Sequence, residues 1–346
     1  MKLAIIGAGV IAQNQHIPCF TKNGAKITAV YDRHIEKAKH IAMELGAEAY
    51  DDYDILLREA DIDTVSICTR TDMHCSMAVA AAEAGKNIFL EKPMCTSGDE
   101  AMKIVRAVEK NDVIFMLGML NRFRTESVLL NQRRLDGKMG EIYHCDCRWI
   151  RRRGVPANPW FSQKALSGGG PGIDIGVHAI DVAWYLMGCP EPVAVSAVAH
   201  HRLGKIYAKG ISSYGSVNPA DGPMDVEDSL TALVRLEQGK SMSVTVSWAI
   251  NGPDEDFNIK LYGTKEGASL NPFVIYGEDD GYLMDYQPKF VREDAWTEGF
   301  LNETAHFISC VEAHRKSICN ERNVYTVQKI IDGIYRSAEK GREVLL

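Results

Sequence analysis

The chain has 346 residues, 46% of them hydrophobic, enough for two ordinary domains with cores of their own. A formal net charge of −7 and a pI near 5.8 exclude a nucleic-acid footprint and a basic membrane-binding surface. The most notable basic run, Arg151-Arg152-Arg153, is far short of a basic face and reads as a solvated loop or a local anchor near a polar substrate.

The first part alternates short β-branched runs with amphipathic stretches. Strands are expected at Lys2–Ile6, Ile27–Tyr31, Thr64–Cys68, Asn87–Leu90 and Val113–Leu117, and helices at Ile35–Leu45, Met73–Ala84 and Glu100–Lys110. Such alternation predicts a parallel, doubly wound Rossmann sheet. The opening apolar run to Ala12 contains two glycines and meets no cleavage site, so strand plus glycine loop is preferred to a secretory signal.

Gly7-Ala8-Gly9-Val10-Ile11-Ala12 follows the first strand and opens the first helix. The first glycine permits the tight turn, the second lets backbone approach a pyrophosphate, and Ala12 takes the third, helix-packing position. Helix N–H groups then face phosphate. Asp32, ending the second strand, is placed to accept from the adenosine ribose and to repel a 2′-phosphate. The cofactor is therefore read as NAD ahead of NADP. Arg33 opposes this if it meets a phosphate, and is otherwise a solvated residue. Ile88-Phe89-Leu90 runs buried into Glu91-Lys92-Pro93, and the carboxyl ends of such strands face the ligand crevice, so Lys92 is aimed at it.

The pattern ends between Gly118 and Asn121, giving a dinucleotide-binding domain over 1–121 and a substrate-binding and oligomerisation domain over 122–346. In the second domain, strands at Ile142–Ile150, Val193–His200, Asp228–Leu236, Met242–Trp248 and Asn258–Tyr262 predict a large, open, mostly antiparallel sheet with helices on one face. Glu298–Ala313 and Val324–Arg342 are helical, and the last helix is expected to pack back on the first domain. Gly210–Pro223 is a loop. An uncovered apolar sheet face would be buried by another subunit, so a homo-oligomer is expected.

The nine cysteines show no CxxC pairing, and Cys145-Asp146-Cys147 lacks the further ligands a zinc site needs. No metal is expected, and reduced thiols suggest the cytoplasm. No stretch reaches the ~18 apolar residues of a membrane helix. Gly168-Gly169-Gly170-Pro171-Gly172 leads into a helix that ends near Gly188 and is apolar on nearly every side except Asp174, His178 and Asp181. These fall at i, i+4 and i+7, one polar stripe. Buried acids and imidazole need partners or a wet cleft, and three glycines leave room for a ligand.

The chain resembles the Gfo/Idh/MocA oxidoreductase family over its full length. The matching motifs are the glycine loop, Cys68-Thr69 with His74, Glu91-Lys92-Pro93, Arg122-Phe123, the Gly168–Asp181 segment and a C-terminal helix pair. The resemblance implies that Lys92, Asp174 and His178 are catalytic and act on a sugar, cyclitol or related polyol, in a tetramer or dimer. It also implies cofactor contacts from Gly7, Gly9, Val10, Ile11, Asp32, Arg33, Thr69, Arg70, His74, Glu91, Lys92 and Asn121. Substrate contacts would come from Lys92, Arg122, Arg152, Trp160, Asp174 and His178. One departure is Arg70, where the family usually has proline.

His178 suits a general base, since an unperturbed imidazole has a pKa of about 6.5. Asp174 would orient the substrate and favour the imidazolium, and Lys92 would stabilise developing alkoxide charge. Trp160-Phe161 reads equally as a wall for a sugar ring or as packing. A secondary ring hydroxyl, such as C3 of a glucoside, is the expected target. Two other readings stand beside this: a glycosidase-type enzyme using bound NAD for transient oxidation, and a non-enzymatic NAD and sugar sensor.

Overall fold

The computed structural model describes residues 1–206, 223–290 and 294–346. The chain divides into two compact units, Met1–Arg124 with Arg292–Tyr325, and Thr125–Val291 with Thr326–Leu346. The first unit thus runs past the expected end at Asn121. The C-terminal stretch is shared out differently from expectation. Helix α10 (Ala295–Glu312) falls in the first unit, whereas most of the final helix, α11 (Glu321–Lys340), falls in the second. There Ser337 Oγ accepts from Ala197 N at 2.9 Å, and β15 (Val344–Leu345), just beyond α11, pairs with β8 (Pro192–His200).

The first unit holds a six-stranded sheet in the order β3-β2-β1-β4-β5-β6, every pair parallel. Its strands are β1 (Lys2–Ile6), β2 (Lys26–Tyr31), β3 (Glu48–Tyr50), β4 (Thr64–Ile67), β5 (Asn87–Leu90) and β6 (Phe115–Leu117). Leu3 to Ile6, Val65, Ile67 and Ile88 to Leu90 are all buried. A strand covered on both faces has no reason to alternate, and these read as continuous apolar runs. The order 3-2-1-4-5-6 places a topological switch point beside β1, with β1, β4 and β5 ending at the same edge.

The helices are α1 (Ile17–Lys22), α2 (Ile35–Leu45), α3 (Tyr53–Glu59), α4 (Thr71–Glu83) and α5 (Gly98–Asn111). Local chemistry sets several ends. Asp52 caps α3 by accepting from Ile55 N at 2.9 Å, and Gly46 closes α2 at φ 64°. A wide turn over Ala12–His16, closed by Ile17 N–H on the Ala12 carbonyl, leads into α1.

The second unit contains α6 (Thr125–Leu135), α7 (Lys164–Ser167), α8 (Pro171–Asp174) and α9 (Gly176–Leu186) beside a nine-stranded sheet. Its strands are β7 (Ile142–Arg151), β8, β9 (Ser229–Leu236), β10 (Ser241–Ser247), β11 (Glu255–Gly263), β12 (Gly267–Leu270), β13 (Phe273–Asp279), β14 (Tyr282–Tyr286) and β15. The order is β14-β13-β12-β11-β7-β10-β9-β8-β15, antiparallel except where β10 runs parallel to β7. Cys145, Cys147, Val244, Val246, Ile259 and Leu261 are buried on one face. The alternate positions are more polar than expected. Asp146 accepts from Ser243 Oγ and Tyr262 OH, and His144 lies 3.4 Å from Asp146. Any partner covering that face would therefore meet hydrogen-bonding groups as well as Val198 and Leu233. The loop expected over Gly210–Pro223 lies outside the described residues up to 222.

Candidate active site

Gly7 takes φ +98°, and a Cβ there would stand 3.0 Å from the Cys68 carbonyl oxygen and 3.1 Å from Thr69 Cγ2. Only glycine fits that turn without strain. Gly9 is different, because among the described residues nothing beyond its own chain neighbours lies within 4 Å of where its Cβ would be. Its lack of a side chain leaves open backbone at the start of the first helical turn, as a pyrophosphate needs. Asp32 ties the two loops together, Oδ2 accepting from Ala8 N at 3.0 Å and Oδ1 from His34 N at 2.9 Å. Arg33 is exposed and Thr69 half-buried. Val10 is 75% exposed at the loop tip, whereas Ile11 packs on Cys19, Leu120 and Phe300. Asn121 is buried, and neither side-chain amide atom finds a hydrogen-bond partner among the described residues. Burying an amide that way costs about 1–3 kcal/mol unless a partner arrives. An open glycine backbone, a carboxylate after β2 and a buried amide seeking partners together fit a dinucleotide.

Lys92 follows β5 and is half-buried. The Glu91 carboxylate holds it in place, because Oε2 accepts from Lys92 N at 2.9 Å while Oε1 lies 2.7 Å from His16 Nε2. The other nitrogen of His16 lies 2.7 Å from Ser66 Oγ and 3.3 Å from Cys68 Sγ. Burial alone would lower the His16 pKa, but Cys68 and Glu91 outweigh it and hold it well above the ordinary imidazole value. The Glu91 carboxylate is therefore turned toward His16 and the Lys92 backbone, where it supports Lys92. His74 is likewise turned toward the backbone. Its Nδ1 lies 2.8 Å from the Pro93 carbonyl and its Nε2 3.1 Å from that of Thr69, so both ring nitrogens face backbone and burial lowers its pKa. The Arg70 guanidinium is engaged by both oxygens of Asp72, at 3.0 and 2.8 Å. Arg122, expected to touch substrate, is 1% exposed and donates to the Ile318 carbonyl.

In the second unit the expected continuous helix is interrupted at Ile175. Asp174 closes α8 and His178 sits in the first turns of α9. Both are buried, as is Asp181. Asp174 Oδ2 accepts from the indole of Trp248, itself fully buried, at 3.0 Å. The His178 ring lies 5.9 Å from the Trp149 ring at 41°. Trp149 is held in turn by Glu255, whose Oε1 accepts from its Nε1 at 3.1 Å, and Arg151 stands 5.5 Å over its face. A carboxylate and an imidazole set among tryptophans suit a group whose substrate has hydroxyls on an apolar ring face.

The glycines before Asp174 do not leave open room, as their spacing suggested. A Cβ on Gly169 would meet Tyr335 OH at 2.2 Å, one on Gly170 the Glu227 carbonyl at 2.2 Å, and one on Gly172 Tyr335 OH at 2.8 Å. The space is filled by the Tyr335 phenol and by the Glu227 backbone. Trp160 and Phe161 are half-buried and stack on each other at 3.8 Å. Arg152 is exposed and its Nη1 lies 3.4 Å from Asp254 Oδ1, a contact worth little in water. Sequence reasoning missed His16, Trp149, Glu227, Trp248 and Tyr335.

Two family models account for most of the chain: an oxidoreductase family with an NAD-binding Rossmann fold over residues 1–119, and the GFO/IDH/MocA C-terminal domain over residues 129–269. D-glucoside 3-dehydrogenase of Escherichia coli is 31% identical, the match covering 100% of this chain and 97% of that protein. Inositol 2-dehydrogenase of Rhizobium meliloti is 27% identical over 99% of this chain and 98% of its own. Among solved structures, levoglucosan dehydrogenase in complex with NADH superposes with a TM-score of 0.86 at 22% identity, covering 100% of this chain and 98% of that one. That likeness establishes the fold, whose six parallel strands and larger second sheet were described above. With a glycine loop open to a dinucleotide and both family models matched in order, the chain belongs to the Gfo/Idh/MocA oxidoreductases, as an NAD(P)-dependent dehydrogenase acting on CH–OH groups.

Proposed function

We propose that the chain oxidises a secondary ring hydroxyl of a sugar or glycoside with NAD, the C3 hydroxyl of a glucoside being the first candidate. The observation that carries this reading is the buried Asp174, held by Trp248, followed within one helical turn by His178 beside Trp149. Trp149 and the stacked Trp160-Phe161 pair suit a pyranose, which offers apolar faces and a rim of hydroxyls. The name of the full-length relative, a D-glucoside 3-dehydrogenase, supports the choice of C3.

In this reading His178 accepts the hydroxyl proton, and Asp174 favours the imidazolium that results. Lys92, its backbone pinned by Glu91, hydrogen-bonds the reacting oxygen and stabilises the alkoxide charge that develops there. Bound NAD supplies the hydride acceptor; Gly7, Gly9, Asp32 and Asn121 are the residues that would hold it. A screen of methyl glucosides, free hexoses, inositols and levoglucosan for NAD reduction tests the proposal, with NMR of the product to locate the ketone. Oxidation of a cyclitol but of no sugar would overturn the substrate class.

Cofactor choice rests on Asp32. Its two oxygens already accept from Ala8 N and His34 N, so a 2′-phosphate would meet a fixed negative charge. NAD should bind at least about tenfold more tightly than NADP, which corresponds to about 1.4 kcal/mol. Fluorescence titration of both cofactors measures it, and equal affinities would transfer control to the exposed Arg33.

A further inference from the structure

We propose that Glu227 and Tyr335 are positioning residues for Asp174 and His178, forming a carboxylate–phenol clasp that holds the glycine turn carrying Asp174. Glu227 lies just before β9 and is 3% exposed. Its Oε2 accepts from Gly170 N at 3.0 Å, and its Oε1 accepts from Gly172 N at 3.0 Å and from Tyr335 OH at 2.8 Å. Burial pushes the Glu227 carboxyl up, and these donors pull against that shift.

Those amides open the turn that ends at the site. Gly170 precedes α8, Pro171 has no N–H to donate, and Gly172 follows, so Glu227 takes the two N–H groups available there. The Gly170 carbonyl then accepts from Ile173 N at 3.2 Å and Asp174 N at 3.1 Å. Fixing Gly170 and Gly172 thus fixes Asp174, whose carboxylate reaches the Trp248 indole, and α9 begins two residues later with His178 in its first turns. Helix ends are ordinarily capped by a neighbour in sequence. Here the cap comes from a strand entry and a C-terminal helix, and the space beside the glycines is taken by the Tyr335 phenol at Gly169 and Gly172 and by the Glu227 backbone carbonyl at Gly170. Tyr335 and Glu227 are committed to each other and to the loop, a geometry that serves placement rather than contact with substrate.

The proposal rests on the sugar-dehydrogenase reading for its kinetic test, and a spectroscopic arm makes it separable. In Glu227→Gln the amide nitrogen must face a backbone N–H where an oxygen accepted before, so the turn shifts. A displacement near 1 Å at a catalytic group costs on the order of 10²-fold, so turnover should fall about 10- to 100-fold with NAD affinity unchanged. Tyr335→Phe removes one donor without a clash and should move the same way by less. The double variant should be no worse than Glu227→Gln alone, since both act through one loop.

The second arm uses protein labelled with ¹⁵N at the tryptophan indole, with Trp248 assigned by Trp248→Phe. The Trp248 N–H resonance should shift in both single variants, because its acceptor is Asp174. If both variants retain wild-type turnover and leave that resonance in place, with only the melting temperature lowered, the clasp is overturned. If Glu227→Gln does not fold, Tyr335→Phe decides by the same two readouts. If the wild type oxidises no sugar yet the resonance moves, the clasp stands and the substrate reading is what fails.

Discussion

His178→Ala is expected to lower turnover about 10²–10⁴-fold, the usual worth of a positioned acid–base group, while NAD affinity stays almost unchanged. The reasoning is local. His178 lies in α9 of the second unit, whereas the glycine loop, Asp32 and Asn121 belong to the first. His178→Gln, closer in volume, separates lost chemistry from the packing lost beside Trp149. Wild type should lose kcat/KM as pH falls, since a protonated imidazole cannot take the hydroxyl proton. That limb should vanish in both variants, and a substrate deuterated at the oxidised carbon should show a larger isotope effect. Near-normal turnover with the acid limb retained would make His178 a structural residue.

Lys92→Ala should lower turnover about 10²–10³-fold, the range seen when one donor to a developing oxyanion is removed. NAD binding should weaken as well, because Lys92 leaves the carboxyl end of β5, where cofactors of parallel sheets lie. Lys92→Met keeps most of the aliphatic stem, so turnover lost in both variants belongs to the ammonium. Both substitutions keep the Lys92 N–H that Glu91 accepts, so the His16–Glu91 pair should remain in place. Turnover within about threefold of wild type for Lys92→Met would remove Lys92 from the chemistry.

The first sheet was legible in sequence because its strands are covered on both faces and read as apolar runs between amphipathic helices. Lys2–Ile6, Ile35–Leu45 and Asn87–Leu90 lie where expected. Elements with little pattern were missed. Strand β3 has only Glu48-Ala49-Tyr50, and β14, Tyr282–Tyr286, is exposed at every position, so neither shows periodic burial. Helix α6 was missed too, being strongly polar, with only Glu126, Ser127 and Leu130 buried. In the second domain the alternating strands were readable, whereas the grouping of Asp146, Ser243 and Tyr262 beside the exposed Leu233 and Val198 needs the strand register.

At the site, sequence by itself determined the chemistry on offer: a glycine loop after a buried strand, a carboxylate after the second strand, Glu91-Lys92-Pro93, and Asp174 with His178 one turn on. Each of these is a short-range pattern, set by a strand end or a helical repeat. Only the tertiary structure decided what each group touches. It turned Glu91 and His74 inward, buried Arg122 against Ile318, and filled the glycine turn with Glu227 and Tyr335. Gly170 and Glu227 are 57 residues apart, and Glu227 and Tyr335 are 108 apart. A glycine looks the same in sequence whether a ligand or a buried phenol occupies the space its side chain would take. Side-chain volume and hydrogen-bond partners brought together by folding make that choice, and no local spacing records them.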